Sequence, residues 1–469
     1  MRYDVAIIGA GMSGLAAGLR LAQFGRSVVI VERHGMWGGL NSFYKKDGYR
    51  FDVGLHAVTN ALAPGYRGPR IPLQRIYRQL RLDPDLFALD PQGFSMTVFD
   101  DATLRFSNGL ELLTQEIAER FPSEIDGFRR LSARCAAYPD SMVERPFVST
   151  RAVLADFIRD PLLVDMLLCP LLYYGSAHEN DVDFDQFTIL FNSIYREGFC
   201  RPKEGVRRIL DVLVSRFRES GGRLLRSTPV EAIEVQDGRV AGLRLEDGGV
   251  VSADVVLSSA GLLETMALRT DADRAPPSAE AAGELSFIET IWVLDRPAKD
   301  LGWEASVAFF NHGERFLWRR PDAFVDDASG VICCPGNYQH DEAIDPPLLR
   351  ATHLANHRAW FSFDDAAYVE AKREALKRSE SAVASIAGPF TDHVVHRDMF
   401  TPKTVTKFTG HRHGAVYGTP DKRRTGRTDL DNLFITGTDQ GFVGIVGAML
   451  SGIAIANAYV LSARGGEAA

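Results

Sequence analysis

Cysteine is scarce in this chain: five among 469 residues, at Cys135, Cys169, Cys200, Cys333 and Cys334, with no C-x-x-C pair. An odd count at such spacing suits neither a disulfide framework nor a zinc or thioredoxin-type site, so a reduced, cytoplasmic chain is expected. Cys333 and Cys334 end the apolar run Val331-Ile332-Cys333-Cys334 and read as small buried hydrophobes. Positive charge is also short. With 53 Lys and Arg against 61 Asp and Glu, the net charge is -8, and nucleic acid is excluded as a partner because phosphate binding needs a dense basic face. Long unbroken apolar runs are missing too. Val5 to Ile8 is far too short for a signal-peptide core and leads into a glycine turn. Residues 434–461 are interrupted by Asp439, Gln440 and several glycines, so they read as strand, loop and buried helix rather than a membrane span. There is no tandem repeat and no low-complexity linker. His353, Glu374 and other scattered ligand-type residues have no metal spacing, and no metal is expected.

What is present is an ordinary soluble composition, 45% hydrophobic and 24% charged, in a chain long enough for about two domains. Residues 4–9 form a short buried strand, 13–24 a helix and 27–32 a second strand, the size of one crossover unit. Residues 70–200 turn irregular, with helices expected at 110–120 and 153–168, the latter restarted or kinked at Pro161. Dinucleotide-domain texture returns near 203. Residues 205–219 read as an amphipathic helix ended by Gly221-Gly222. Strands are expected at 228–235, 239–245 and 250–251, with turns at Asp237-Gly238 and Asp247-Gly248. A further buried strand is expected at 253–258. Residues 285–295 and 304–318 alternate like strands, 347–387 look helical, and 433–437 is a closing strand. The interleaving predicts a discontinuous cofactor domain (1–69, 203–284 and 401–469) with a substrate domain inserted as 70–202 and 285–400.

The first chemical motif is Gly9-Ala10-Gly11-Met12-Ser13-Gly14, a G-x-G-x-x-G loop between strand and helix. Its glycines permit a tight turn, close approach of a pyrophosphate and close helix–strand packing, while the helix N-terminus supplies partial positive charge. Glu32 lies 23 residues past Gly9, at the end of the second strand, where a carboxylate can accept from both ribose hydroxyls. A second glycine turn follows at once: Arg33-His34-Gly35-Met36-Trp37-Gly38-Gly39-Leu40-Asn41-Ser42. NAD domains do not need it, whereas the second phosphate and ribityl chain of FAD require further backbone donors. Residues 48–56, with Phe51-Asp52-Val53-Gly54-Leu55-His56, bring another strand and turn to the same region.

These two glycine turns, the Phe-Asp-x-Gly-x-His stretch and the tail from Leu433 to Gly452 resemble the phytoene desaturase, carotenoid isomerase and retinol saturase group of the amine-oxidase-like flavoproteins. The matching blocks cover about a quarter of the chain. The resemblance implies an α/β fold: a Rossmann-like FAD-binding domain of glutathione-reductase/amine-oxidase type with an inserted α+β substrate domain. It implies FAD contacts at Gly9, Gly11, Met12, Ser13, Gly14, Glu32, Arg33, Gly38, Gly39, Leu40, Asn41, Gly54 and His56. Val230 matches the strand position whose backbone meets the adenine, with Ser258 and Ala260 in the loop beside it. In the tail, Gly437 and Asp439 would meet the ribityl or pyrophosphate region. The backbone of Ile445, Val446 and Ala448 would stabilise negative charge on the flavin's pyrimidine end.

His56 is the candidate catalytic residue, set close to the flavin ring by the resemblance, with bland structural hydrogen bonding as its alternative. Phe442 and the pair Tyr173-Tyr174 are candidates for an aromatic channel, against simple core packing. Arg196, Arg201 and Lys203 would meet a polar substrate end or form a solvated face. The function implied is an FAD-dependent desaturase, saturase or isomerase acting on an apolar polyene such as a carotenoid, a reaction needing no evident acid–base pair. Such a substrate lives in lipid, so peripheral membrane contact on the cytoplasmic face is expected, with residues 161–174 as candidate or else a core helix. The alternative is an amine-oxidase-like enzyme on a small polar amine; its usual tail aromatic cage and lysine near the flavin have no assigned counterpart here. A non-enzymatic flavin-bound protein is the third class.

Overall fold

The computed structural model describes residues 1–54, 56–60, 71–137, 145–271 and 281–462; Leu55 and the expected boundary at 69–70 lie outside them. Apolar runs short enough to be strands and bounded by glycine turns assemble the first sheet. Arg2–Ile8 pairs in parallel with Val28–Val31 on one side and Val250–Ser258 on the other. Arg223–Leu225 extends the sheet beyond Val28–Val31, and Leu433–Ile435 lies parallel to the end of Val250–Ser258. The antiparallel pair Val230–Gln236 and Arg239–Leu245 completes seven strands. The helices Met12–Ala22, Val206–Glu219 and Gly444–Ala456 cover one face. Met12–Ala22 and Gly444–Ala456 meet so closely that a Cβ on Gly452 would stand 2.0 Å from the Ser13 carbonyl oxygen. The segment Gly444–Leu461 is long and apolar enough to cross a membrane, with mean hydropathy 1.8, but half of it is buried within the fold. It serves as the closing helix of the nucleotide domain.

The second sheet, also of seven strands, has the order Val394–Phe400, Ser286–Leu294, Leu348–Ala355, Ser329–Cys333, Val307–Asn311, Ser95–Phe99, Ala102–Phe106. All its neighbours are antiparallel except Val307–Asn311 with Ser95–Phe99. Helices Glu111–Arg120, Ile125–Ala137, Pro161–Gly175 and Phe184–Phe191 pack into one apolar core with this sheet. The long helix Asp365–Ala387 is amphipathic, and its buried Ala375, Ser379 and Val383 meet the sheet elsewhere. The hairpin Phe43–Lys46 and Tyr49–Asp52 joins the halves: Tyr44 Oη and Lys46 Nζ each donate 2.7 Å bonds to Asp398.

Three sequence expectations change, and the restart expected at Pro161 is found. Residues 347–387 do not start helical; Leu348–Ala355 is a strand held between two others, because burial on both faces overrides helix propensity. The strand expected at 304–318 is confined to Val307–Asn311, ended by the turn at His312-Gly313. Residues 250–251 and 253–258 are one strand, whose two ends pair with different neighbours. The helix expected at 153–168 is two, Thr150–Leu154 and Pro161–Gly175. The second is started by Asp160, whose side chain accepts from Leu162 N, with Pro161 in its first turn.

Candidate functional site

Between the two sheets lies a cavity of about 610 Å³ whose walls come from both. At its nucleotide end Gly9 turns the chain with φ +96°, a left-handed conformation reserved for glycine. A Cβ on Gly11 would meet nothing within 4 Å, so this α-carbon faces open space; one on Gly14 would fall 2.2 Å from the Gly9 oxygen. The helix that follows has no side-chain N-cap, and neither does Gly444–Ala456 across the cavity, which leaves the first-turn amides of both without a capping side chain. The buried Thr436 hydroxyl has no hydrogen-bond partner among the described residues. Open space at Gly11, two uncapped helix ends and an orphaned hydroxyl fit a dinucleotide. Glu32 lines the cavity while its Oε2 accepts from Ala10 N (2.7 Å) and Oε1 from His34 N (2.9 Å).

Of the cofactor contacts expected from sequence, all but three line this cavity, and each exception has a reason. Gly14 is pressed under the helix against Gly9. Ser258 is turned inward, its Oγ 2.6 Å from Thr265 Oγ1, and Ser259 takes the wall instead. Val446 faces the helical core. Asp439 also lines the cavity, but both its carboxylate oxygens are already engaged. Oδ2 accepts from Leu262 N (2.6 Å) and Oδ1 from Thr419 N (2.8 Å), so the side chain stitches two loops together beneath the site. Beside it the half-buried Lys422 donates to the Tyr417 carbonyl, and desolvation pushes its ammonium down to about 8 despite Asp439 at 3.9 Å.

The middle of the cavity holds a charge cluster that sequence reading found only in part. His56 Nε2 lies 2.8 Å from Thr352 Oγ1 and 3.5 Å from Glu289 Oε2, and the Thr352 hydroxyl donates to the same Glu289 oxygen. On the far side Glu289 Oε1 pairs with Arg350 at 2.7 Å, and Arg350 also donates to the Val53 carbonyl. His56 is fixed from behind, its carbonyl accepting from Tyr338 Oη (3.1 Å) and from Arg201 (3.3 Å). Burial alone would lower its pKa, but the Glu289 carboxylate and neighbouring hydrogen bonds outweigh it and lift the imidazole to about 9. Glu289, for all its burial, is held below the usual carboxylate range by Arg350 and His56. At neutral pH the cluster is imidazolium, carboxylate and guanidinium; the imidazolium–carboxylate pair faces this cavity and the guanidinium lies behind it. Glu289, Thr352 and Arg350 were missed from sequence. A glutamate midway along the otherwise uncharged run Ser286–Leu294 was the available signal.

Beyond the cluster the walls are apolar and aromatic: Tyr173, Tyr174, Phe199, Phe287, Phe309 and Tyr417. Phe442 is not among them. Its neighbour Val443 is extended and lines the cavity, and successive side chains of extended backbone point to opposite faces. Arg201, expected near a substrate, is instead buried against Asp52 at 2.8 Å. Arg196 bonds Ser132, and Lys203 pairs with Glu342. Pro161–Gly175, the candidate for membrane contact, is a core helix with most of its side chains buried. The fold also brings Glu284, His357 and His413 together, a grouping that chain spacing did not predict. Glu284 there already pairs with Arg320 (2.7 Å) and Arg358 (3.0 Å), and the two rings stack at 4.1 Å, an ion-paired latch.

Comparison with known proteins follows this geometry. The profile of the family described as flavin containing amine oxidoreductase matches residues 12–459. Prolycopene isomerase 2 of an Oncidium hybrid cultivar is 22% identical, over 97% of this chain and 83% of its own. All-trans-retinol 13,14-reductase of Danio rerio is 23% identical, over 95% and 84%. Both come from the group that the sequence resembles. Among solved structures, wild-type putrescine oxidase bound to putrescine superposes with a TM-score of 0.64 at 18% identity, covering 99% of this chain and 100% of that one; this likeness is one of fold.

Proposed function

This chain belongs to the flavin-containing amine oxidoreductase family and carries FAD, and from that premise we propose that it desaturates, saturates or isomerises an apolar polyene of the isoprenoid kind. The observation that carries the proposal is the apolar, aromatic half of the cavity, where the Tyr173, Tyr174 and Tyr417 hydroxyls are engaged with Ser329, the Ala57 carbonyl and the Tyr173 carbonyl, and the His56–Thr352–Glu289 set is the main polar feature. A polyene offers almost no polar handle, so its affinity must come from buried apolar area, at roughly 25 cal/mol per Å². FAD, when bound, supplies the two-electron chemistry. The chain's own residues hold a proton at His56, fixed by Thr352 and Glu289, and exclude water with the aromatic walls. Relatives named for prolycopene and for all-trans-retinol support the same class.

A small amine fits less well. Amine substrates are cations in water, and the carboxylate of the central cluster, Glu289, is already paired with both His56 and Arg350. The deciding experiment is anaerobic mixing of the FAD-loaded protein, with its flavin oxidised and in parallel reduced by dithionite, with phytoene, prolycopene or retinol in detergent, and separately, with its flavin oxidised, with putrescine and other aliphatic amines. Conversion of a polyene, or a change in flavin colour with one, is the expected result. Prompt flavin bleaching by amines, with every polyene inert, would overturn the reading.

A further inference from the structure

A second cavity, of about 770 Å³, lies behind the charge cluster and shares no lining residue with the first. It opens between one face of Val206–Glu219, the hairpin strand Tyr49–Asp52, and the loop from Ile344 to Leu348. Seven basic and five acidic side chains line it. The buried wall is supplied by Arg201 and Arg350, and the half-buried Arg207 and Arg208 stand at the helix start, their hydrogen bonds going to the carbonyls of Glu204 (3.1 Å) and Leu86 (2.6 Å) rather than to carboxylates. Lys203 stands half-buried beside them, paired with Glu342. Acidic Glu204, Asp211, Glu219 and Asp345 stand exposed at the rim with Arg50 and Arg216, and the buried Asp52 is neutralised by Arg201. Phe51, Ile291, Pro335 and Leu348 give the same cavity an apolar side.

The wall between the two cavities is one ion pair thick. Arg350 lines the second cavity and pairs at 2.7 Å with Glu289, which lines the first. Arg201 lines the second and donates to the carbonyl of His56 in the first. We propose that the second cavity binds an amphiphilic organic anion, an acidic head on an apolar body, and that Arg350 transmits its occupancy to His56. The head would lie against the guanidinium groups, since the first amide of the helix already donates to Asp52, and the body on the apolar side. A negative charge placed beside Arg350 competes for the guanidinium that steadies Glu289 and adds negative potential at His56, so His56 holds its proton more tightly when the cavity is filled. Linkage requires the converse: the anion binds more tightly when His56 is protonated. None of this depends on which substrate the flavin site takes.

The probe is n-octyl phosphate, titrated calorimetrically into the FAD-loaded protein, with n-octanol and inorganic phosphate as its separate halves. Octyl phosphate should bind, each half should bind about tenfold or more weakly, and the double variant K203E/R207E should lose about tenfold or more in affinity with flavin absorption and Tm intact. Absence of binding, or equal binding by the variant, would overturn the site. The His56 titration, followed by NMR, should move upward on saturation; an unmoved titration would overturn the coupling through Arg350.

Discussion

Replacing Glu289 with Gln tests the charge cluster most directly. Glu289 Oε2 stands 3.5 Å from His56 Nε2, and two unit charges at that distance attract by about 5 kcal/mol at an effective dielectric near 20. The net upward move of the imidazole, from 6.5 to about 9, corresponds to about 3 kcal/mol, the rest being cancelled by burial. E289Q keeps the burial and removes the attraction, so His56 should titrate about three units lower, below 6.5. The assay is an NMR titration of histidine-labelled protein loaded with FAD, the His56 signal being assigned by its loss in H56N. Stability gives a second readout with a definite sign. A pKa raised on folding stabilises fully below the unfolded value and loses that contribution as pH rises through the folded value. The wild-type Tm should therefore fall between pH 6.5 and about 9, and H56N should flatten that slope. E289Q also leaves Arg350 without its carboxylate, a loss of about 3–5 kcal/mol. If it does not accumulate, T352V, which removes the bridging hydroxyl, should still lower the His56 pKa. A wild-type His56 titrating between 6 and 7, or a shift in E289Q under about half a unit, refutes the electrostatic account.

The remaining predictions concern the cofactor. G11A should keep the Tm of the cofactor-free protein, since its Cβ meets nothing within 4 Å at an ordinary φ of -75°, yet weaken FAD binding about tenfold or more; equal affinity would mean that no ligand approaches Gly11. G14A, with a Cβ 2.2 Å from the Gly9 oxygen, should instead lose several kcal/mol of stability by thermal or urea unfolding, and a native Tm would contradict the packing. E32Q turns an amide NH2 toward the backbone N–H of Ala10 or His34, so FAD retention and stability should each fall by about 1–3 kcal/mol, read by equilibrium dialysis and urea melts. Acid precipitation should release all the FAD into the supernatant; colour kept in the pellet would mean a covalent link.

The nucleotide end was legible in the sequence because its signals are local. The strand, glycine loop, helix and terminal Glu32 fall within about thirty residues, and each glycine has a steric meaning that needs no tertiary context. The same holds for Pro161, whose only good place in a helix is the first turn. The charge cluster was not legible, because His56, Glu289, Arg350 and Thr352 come from one turn and two strands of another sheet, up to 296 residues apart. Alternation along Leu348–Ala355 was hidden by burial on both faces, which removes the polar positions that mark a strand. Phe442 was misplaced by one residue for a related reason: motif matching finds a loop, but the face a side chain takes is set by backbone dihedrals that spacing alone does not encode.

What the buried charges are for can be argued from their energetics. His56, Glu289 and Arg350 stand together, with Arg201 and Asp52 paired immediately behind. Taking ions from water costs several kcal/mol each, and apolar side chains of similar volume are often as stable or more so. The surrounding strands are rich in such side chains, as the wholly buried Ser286–Leu294 shows, so stability alone does not explain the set. Placement does better. Its acid and its histidine face the cavity where FAD and substrate meet, and its guanidinium lies behind them. The imidazolium can steady negative charge that builds up at the flavin, while the guanidinium draws on the carboxylate that would otherwise attract a cationic substrate. That combination suits a neutral polyene better than an amine. Reversing the field should therefore separate the two: H56E should abolish polyene turnover while leaving FAD bound, and any gain it produces with putrescine would trace substrate class to this one charge.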